Sequence, residues 1–383
     1  MLSEVLNAVL IALLLADLAT WVYALYCLGR SVSLIKSSKA LNVHEDLGEG
    51  VTAVVPVRNS ANTLRHLLKA LLGQEGVRLD EVVVVDDGST DGTPEVVLDF
   101  MNMYPGVVKY ERVERVPEGW TPKVYACYRG YLRSSGGLLL FIDADVALKG
   151  SCLRPLLGRA AALGGIASYA PRFSCRTLSC KVAEAVLTTF SHAFTGFDKV
   201  LNPSSRLAWF YGCCWAVPRR VYEMLGTHKA FRGELVEDKA IAKKAKVLNV
   251  PIAVMDGRDN VVTQWYESIS ENVDALTRIL WDYSRGRGLR ALITAVAIGV
   301  GYYLPILSLP TAILQGNLLV AALSLAVLAA LVTTHSVGSL VNRQSAVYGL
   351  IAPLLGWIIP AGIVRALTCR YVRWRGRAID LRS

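Results

Sequence analysis

Residues 5–28 (VLNAVLIALLLADLATWVYALYCL) form one apolar run broken by a single charge, Asp17. No other stretch restricts the fold as much. About 20 such residues in a helix cross a hydrocarbon layer of about 30 Å. No Lys or Arg precedes the run and no A-x-A site follows it. It also exceeds the apolar core of about 7–15 residues that a cleaved signal sequence carries. It reads as a retained anchor over residues 1–30. Arg30, Lys36 and Lys39 follow at once, and a basic flank places the chain beyond it in the cytoplasm. A carboxylate in lipid is costly, so Asp17 is expected to face protein and to find a pairing partner in the membrane region.

Apolar composition returns over residues 289–368 in three pieces, 289–314, 317–337 and 346–368, with Pro305, Pro310, Pro353 and Pro360 interrupting two of them. Three further crossings would leave the carboxyl terminus outside. Yet the tail from Arg365 holds six Arg and one Asp, a balance that favours the anionic cytoplasmic leaflet. The expectation is two to three carboxyl-terminal spans, the last segment being re-entrant or interfacial, and then a basic tail at 369–383. The whole chain agrees: 53% of residues are hydrophobic and 19% charged, against about 25% charged in an ordinary soluble domain. Disorder is excluded.

Between these ends, residues 40–285 have the mixed polarity of one soluble domain. The eight cysteines (27, 127, 152, 175, 180, 213, 214, 369) include no C-x-x-C pair, which argues against zinc. Thiols on the cytoplasmic side are expected to be reduced. The net charge of +10 suits a membrane surface, and the Arg clusters adjoin apolar segments without the aromatic interleaving of a nucleic-acid patch. β-branched runs lie at Val51–Val57, Glu81–Val85, Val107–Val113, Leu138–Ile142, Ile166–Tyr169 and Leu207–Val217. Helical patterns alternate with them at 61–73, 93–103, 123–134, 151–163 and 237–248. That alternation predicts an α/β domain with a mostly parallel sheet, whose ligands bind beyond the carboxyl ends of the strands.

Those ends are acidic. Pro56-Val57-Arg58 closes the first strand, Asp86-Asp87-Gly88-Ser89-Thr90-Asp91-Gly92 follows the second, and Asp143-Ala144-Asp145 follows the buried run LLLFI. DDGSTDG alone is equally a solvated turn, and a helix cap is the alternative for Asp145. Two carboxylates two residues apart repel unless a cation joins them. All-oxygen donors fit Mg²⁺ or Mn²⁺, ions that bridge phosphates. Glu237-Asp238 opens a further helical stretch, where the helix dipole favours acids and where one carboxylate is also placed to act as a general base.

The series VVPVRN, VVVVDDGSTDGT, EGWTPKVYACYRG, LLLFIDADV and GELVEDKAIAKKAK resembles the family 2 glycosyltransferases over residues 50–270. The amino-terminal span, Gly119-Trp120-Thr121-Pro122-Lys123 and the terminal Trp374-Arg375-Gly376-Arg377 are similar to hopanoid-associated and carotenoid-acid members. The resemblance implies a GT-A, Rossmann-like nucleotide-diphospho-sugar transferase fold with membrane helices at both ends. It also implies site roles. Asp86 and Asp87 would contact base and ribose with Pro56 and Arg58 beside them, and Lys123 would contact the donor. Asp143 and Asp145, a DxD motif, would meet the nucleotide sugar and the metal, with Asp145 the stronger metal ligand. Asp238 would be the catalytic base and Glu237 its neighbour.

Where processive synthases carry Q-x-x-R-W, this chain reads Gln264-Trp265-Tyr266-Glu267-Ser268, which implies transfer of one or few sugars. The expected activity is inverting transfer from a UDP- or GDP-sugar to a lipid or polyprenyl acceptor at the cytoplasmic membrane face. A polyprenyl-phosphate acceptor is the alternative. A transporter or receptor is the distant one, since it leaves the acidic strand ends unexplained. Residues 178–201 place Val182, Val186, Phe190, Phe194 and Phe197 on one helical face, either core-facing or lying in the headgroup layer. His192, alone in this segment, reads as structural.

Overall fold

The computed structural model describes residues 2–37, 50–202, 204–374 and 377–381. Lys39, Arg375, Gly376 and the start of the expected soluble domain at residues 40–49 lie outside them. The chain runs α1 (Leu2–Ser37), β1 (Val51–Val57), α2 (Ala61–Leu72), β2 (Glu81–Asp86), α3 (Thr93–Met103), β3 (Val108–Arg112), α4 (Pro122–Arg133) and β4 (Leu138–Ile142). Next come β5 (Ala147–Leu148), α5 (Leu153–Leu163), β6 (Ile166–Ala170), β7 (Arg172–Ser174), α6 (Leu178–Phe194), α7 (Phe197–Val200), β8 (Cys214–Pro218), α8 (Arg219–Met224) and α9 (Glu237–Val247). The remainder is β9 (Ile252–Asp256), β10 (Val261–Gln264), α10 (Ile269–Ser284), α11 (Gly288–Leu314), α12 (Leu318–Val341), α13 (Val347–Ile351), α14 (Ile358–Thr368), β11 (Tyr371–Trp374) and β12 (Arg377–Asp380). Two compact units result. One comprises residues 34–174 and 199–264, the other residues 1–33, 175–198 and 265–383.

In the first unit a seven-stranded sheet has the order β3-β2-β1-β4-β8-β6-β9. Pairing is parallel except at β8, which runs antiparallel to both β4 and β6. β1, β2 and β4 are buried along nearly their whole length, the pattern of a sheet covered on both faces. α2 closes one face with Leu64, Leu67, Leu68 and Leu71, all at most 1% exposed; each contributes about 1.5–3 kcal/mol by burial. α4 lies close on β1 because Gly130 has no side chain, and a Cβ there would meet Val54 at 2.3 Å. β5, β10 and β7 form a separate small sheet.

The run Leu207–Val217, expected as one strand, is a strand only from Cys214. Ala208 and Phe210 are apolar because the loop ahead of the strand is itself buried, and hydrophobicity does not separate the two cases. The short strands β5, β7, β9 and β10 were not expected.

In the second unit four segments are long and apolar enough to cross a membrane: Ser3–Lys36, Gly288–Leu314, Leu318–Val341 and Val347–Thr368. α11 continues through Pro305 and Pro310. The last segment is interrupted by a 3₁₀ turn at Ala352–Leu355. Its first part lies against Ser336 at Gly349, its turn against Tyr302 at Gly356, and α14 against Leu276 of α10 at Gly362. Arg365 near the end of α14 pairs with Asp274 of α10 at 2.7 Å. α6 buries Val182, Ala183, Ala185 and Val186 among Val273, Leu276, Ile359 and Ile363.

Asp17 is 9% exposed and lies against Gly301, whose carbonyl accepts the indole N–H of Trp21 at 3.2 Å. His192 is structural in its contacts: its Nδ1 lies 2.9 Å from Ser31 Oγ, which also accepts the backbone N–H of Phe197. Not all thiols are free, contrary to the expectation of a fully reduced set. Cys175 and Cys180 form a disulfide across the start of α6, where their Cα atoms come within 5.4 Å, a closeness that only the helix start creates.

Candidate active site

β1, β2 and β4 end at the same rim of the sheet, and the residues after them meet there. Arg58 Nη1 donates to the Asp87 carbonyl at 2.9 Å and lies 3.4 Å from its Oδ2. Asp86 is fully buried. Its Oδ1 accepts the Ser89 N–H and its Oδ2 the Tyr110 hydroxyl, both at 2.8 Å. Asp86 therefore fixes the turn that Gly88 makes at φ +67, a conformation that favours glycine, and so presents Asp87. Burial pushes the Asp87 carboxyl up to about 6, Arg58 opposing and Asp86 adding to the shift.

A second group gathers from three separate segments. Lys123, in the first turn of α4, places Nζ 3.0 Å from Asp143 Oδ1 and 2.8 Å from Glu237 Oε1. Burial alone would discharge this ammonium, but Asp143 and Glu237 hold its pKa well above the ordinary lysine value. Glu237 opens α9 and is held below its ordinary value despite burial, because Lys123 faces it. Asp238 follows. Its Oδ2 accepts the Gly212 N–H at 3.0 Å and its Oδ1 the Lys239 N–H at 2.6 Å. Burial, reinforced by the Glu237 charge, pushes Asp238 up to about 7.

Cys213 binds these groups together: Asp143, Asp145, Lys123 and Asp238 all act electrostatically on its thiol, and its carbonyl accepts the Asp143 N–H at 2.9 Å. The expected site residues thus fall into two neighbouring clusters, Arg58 with Asp86 and Asp87, and Lys123 with Asp143, Glu237 and Asp238. Pro56, in β1, lies beside the first. Gly212 was not singled out from the sequence. A glycine directly ahead of a buried strand, as in Tyr211-Gly212-Cys213, is the signal of close backbone approach that marks Gly212.

Among the described residues no group of three or more His, Cys, Asp or Glu side chains is arranged to hold a metal ion alone. Asp143, paired with Lys123, and Asp145 both carry hard carboxylate oxygen. This donor set suits Mg²⁺ or Mn²⁺ only when phosphate oxygens and water complete the shell.

Beneath the site lies a ring cluster of Phe141, Trp215, Tyr222 and His228. The Tyr222 hydroxyl accepts the backbone N–H of His228 at 2.9 Å and lies 2.5 Å from its Nδ1. Donation of the Tyr222 proton to Nδ1 goes with a neutral imidazole that carries its own proton on Nε2. Burial lowers the His228 pKa to about 3, from 6.5. A lowered value means that the unfolded chain binds the proton first. Stability from this group is complete above pH 6.5 and falls by about 1.4 kcal/mol per pH unit down to about 3. Asp87 and Asp238, raised in the same range, act with the opposite sign, so the difference is what tests His228: in urea unfolding at pH 7, 6 and 5, native stability minus that of His228→Gln should fall with this slope; parallel curves would refute it.

Residues 52–226 match the model of glycosyl transferase family 2. The 4,4'-diaponeurosporenoate glycosyltransferase of Staphylococcus aureus is 24% identical over 233 residues, covering 60% of this chain and 59% of that one. Its Staphylococcus haemolyticus counterpart is 24% identical over 230 residues, covering 57% and 58%. The match thus spans less than two thirds of these relatives' length. Among solved structures, a mannosyltransferase of Pyrobaculum calidifontis, in complex with GDP-Man and Mn²⁺, superposes with a TM-score of 0.52 at 19% identity, covering 94% of this chain and 99% of that one. The chain therefore carries a family 2 glycosyltransferase domain built on the GT-A fold.

Proposed function

We propose that this chain is an inverting, non-processive glycosyltransferase that moves a sugar from a nucleotide diphosphate to a lipid acceptor at the cytoplasmic membrane face. One observation carries the reading. Lys123, Asp143, Glu237 and Asp238, from three distant segments, converge at the rim of one sheet beside the Arg58–Asp87 pair. The Pyrobaculum structure holds GDP-Man and Mn²⁺, and the staphylococcal relatives are named for diaponeurosporenoate; both support a nucleotide sugar and a lipid acceptor. Pro56, Arg58, Asp86 and Asp87 form the nucleoside end, with Asp143 nearer the sugar. Asp145 would hold Mg²⁺ or Mn²⁺, which when bound neutralises charge on the diphosphate.

Asp238 takes the proton of the acceptor hydroxyl as its oxygen bonds to the anomeric carbon. The bond from that carbon to the diphosphate oxygen breaks, and its electron pair leaves with the nucleotide. Attack opposite the leaving group inverts the centre, and the raised proton affinity of Asp238 suits a base working near neutrality. α10 follows the last catalytic strand directly, and α14 ends against it through Arg365–Asp274. This arrangement supports three crossings, with residues 347–368 returning to the side they left and the six-Arg tail on the catalytic side.

The test uses sealed membrane vesicles of cells making the chain, supplied with Mn²⁺ and labelled GDP-mannose or UDP-glucose. Label should enter the organic-solvent extract in inside-out vesicles only, until right-side-out ones are permeabilised. Label confined to water-soluble or polymeric material, or equal in both orientations, overturns the reading; release by mild acid would identify an acceptor phosphate.

A further inference from the structure

Glu237 is adjacent to the base, but what it binds lies elsewhere. Its carboxylate takes the Lys123 ammonium at 2.8 Å, and both side chains are mostly out of water, 12% and 20% exposed. The same ammonium reaches Asp143 at 3.0 Å. A lysine so placed ties the start of α4 and the end of β4 to the first turn of α9. The backbone repeats the connection just upstream: the Thr121 N–H donates to the Arg232 carbonyl at 2.7 Å, and its hydroxyl to the Glu234 carbonyl at 3.2 Å. Two neighbouring stretches, 119–123 and 232–237, are therefore joined by three independent contacts. Asp238 is the next residue along.

We propose that Lys123 and Glu237 form a latch that sets where α9 begins and thereby aims Asp238; Glu237 is a positioning residue, and Lys123 serves it and Asp143 before any donor. The proposal rests on Asp238 being the base. An ion pair withdrawn from water is strongly coupled, because removing one partner leaves the other buried and unpaired. Once one partner is gone, loss of the second adds little.

The experiment is a double-mutant cycle of Lys123→Met, Glu237→Gln and the pair, in the full chain in detergent, with Glu237→Asp as the conservative variant. Each single exchange should lower kcat about ten- to a hundredfold, with donor KM changed less than about threefold. The pair should be no worse than the poorer single, and Glu237→Asp should recover part of the loss. Multiplicative losses, or a donor KM raised by Lys123→Met alone, overturn the latch and give Lys123 to the donor. Thermal unfolding of the same four chains reads the coupling without turnover: the midpoint shifts should be non-additive, and additive shifts also overturn it. A native chain inactive on every nucleotide sugar defeats the catalytic reading, while the unfolding cycle still judges the latch.

Discussion

Asp238→Asn should lower kcat by about 10²- to 10⁴-fold while nucleotide affinity stays within a few-fold of the native value. The range is what a positioned general base contributes. Asn keeps the volume of Asp and can still accept the Lys239 N–H, but it cannot take a proton from an acceptor hydroxyl. The Asp238 carboxylate accepts the Gly212 and Lys239 N–H groups, whereas Arg58 bonds to Asp87, so calorimetric titration with GDP or UDP and Mn²⁺ should hardly register the exchange. In the native chain the base is the carboxylate form. Because burial and Glu237 push its pKa up to about 7, kcat should rise with pH through that value. Turnover within threefold of native in Asp238→Asn would remove Asp238 from catalysis.

Gly212→Ala should cost about 10- to 100-fold in kcat, although it adds one methyl group and lies outside every motif. A Cβ at Gly212 would stand 2.8 Å from Asp238 Oδ2 and 3.1 Å from its Cβ. Gly212 does not occupy the left-handed region, so its backbone accepts alanine; the collision with the base is what matters. A reacting group displaced by about 1 Å loses about 10²-fold. Combined with Asp238→Asn, Gly212→Ala should cost little more, since both act on one group. Steady-state rates beside a thermal melt separate misplacement from unfolding. Native kcat in Gly212→Ala would show that the carboxylate tolerates being moved.

What the sequence made legible follows from how each feature is encoded. Asp86, Asp87, Asp143 and Asp145 follow directly on buried β-branched runs, and hydropathy alone places such residues at strand ends. Asp238 was visible as one of two acids opening a helix. The ion pair of Glu237 with Lys123 was not, because it depends on a lysine arriving from more than a hundred positions away. Residues 207–213 misled for a physical reason: a buried loop and a buried strand need the same apolar residues. The Cys175–Cys180 bond was hidden because spacing in sequence does not reveal that a helix begins between the two.

The reversed strand β8 has a consequence of its own. Every other strand of the large sheet delivers its final residue to the rim, whereas β8 delivers its first. The Arg58–Asp87 cluster and Asp143 therefore lie where strands end, and the Gly212 peptide group that bonds to Asp238 lies in a loop that comes before one. Exchanging residues 204–211 for those of a distant cousin, with Gly212 kept, should change what approaches Asp238 without rewriting a single strand of the sheet. Grafting that one segment is the economical way to redirect such a scaffold toward a new recipient for its sugar.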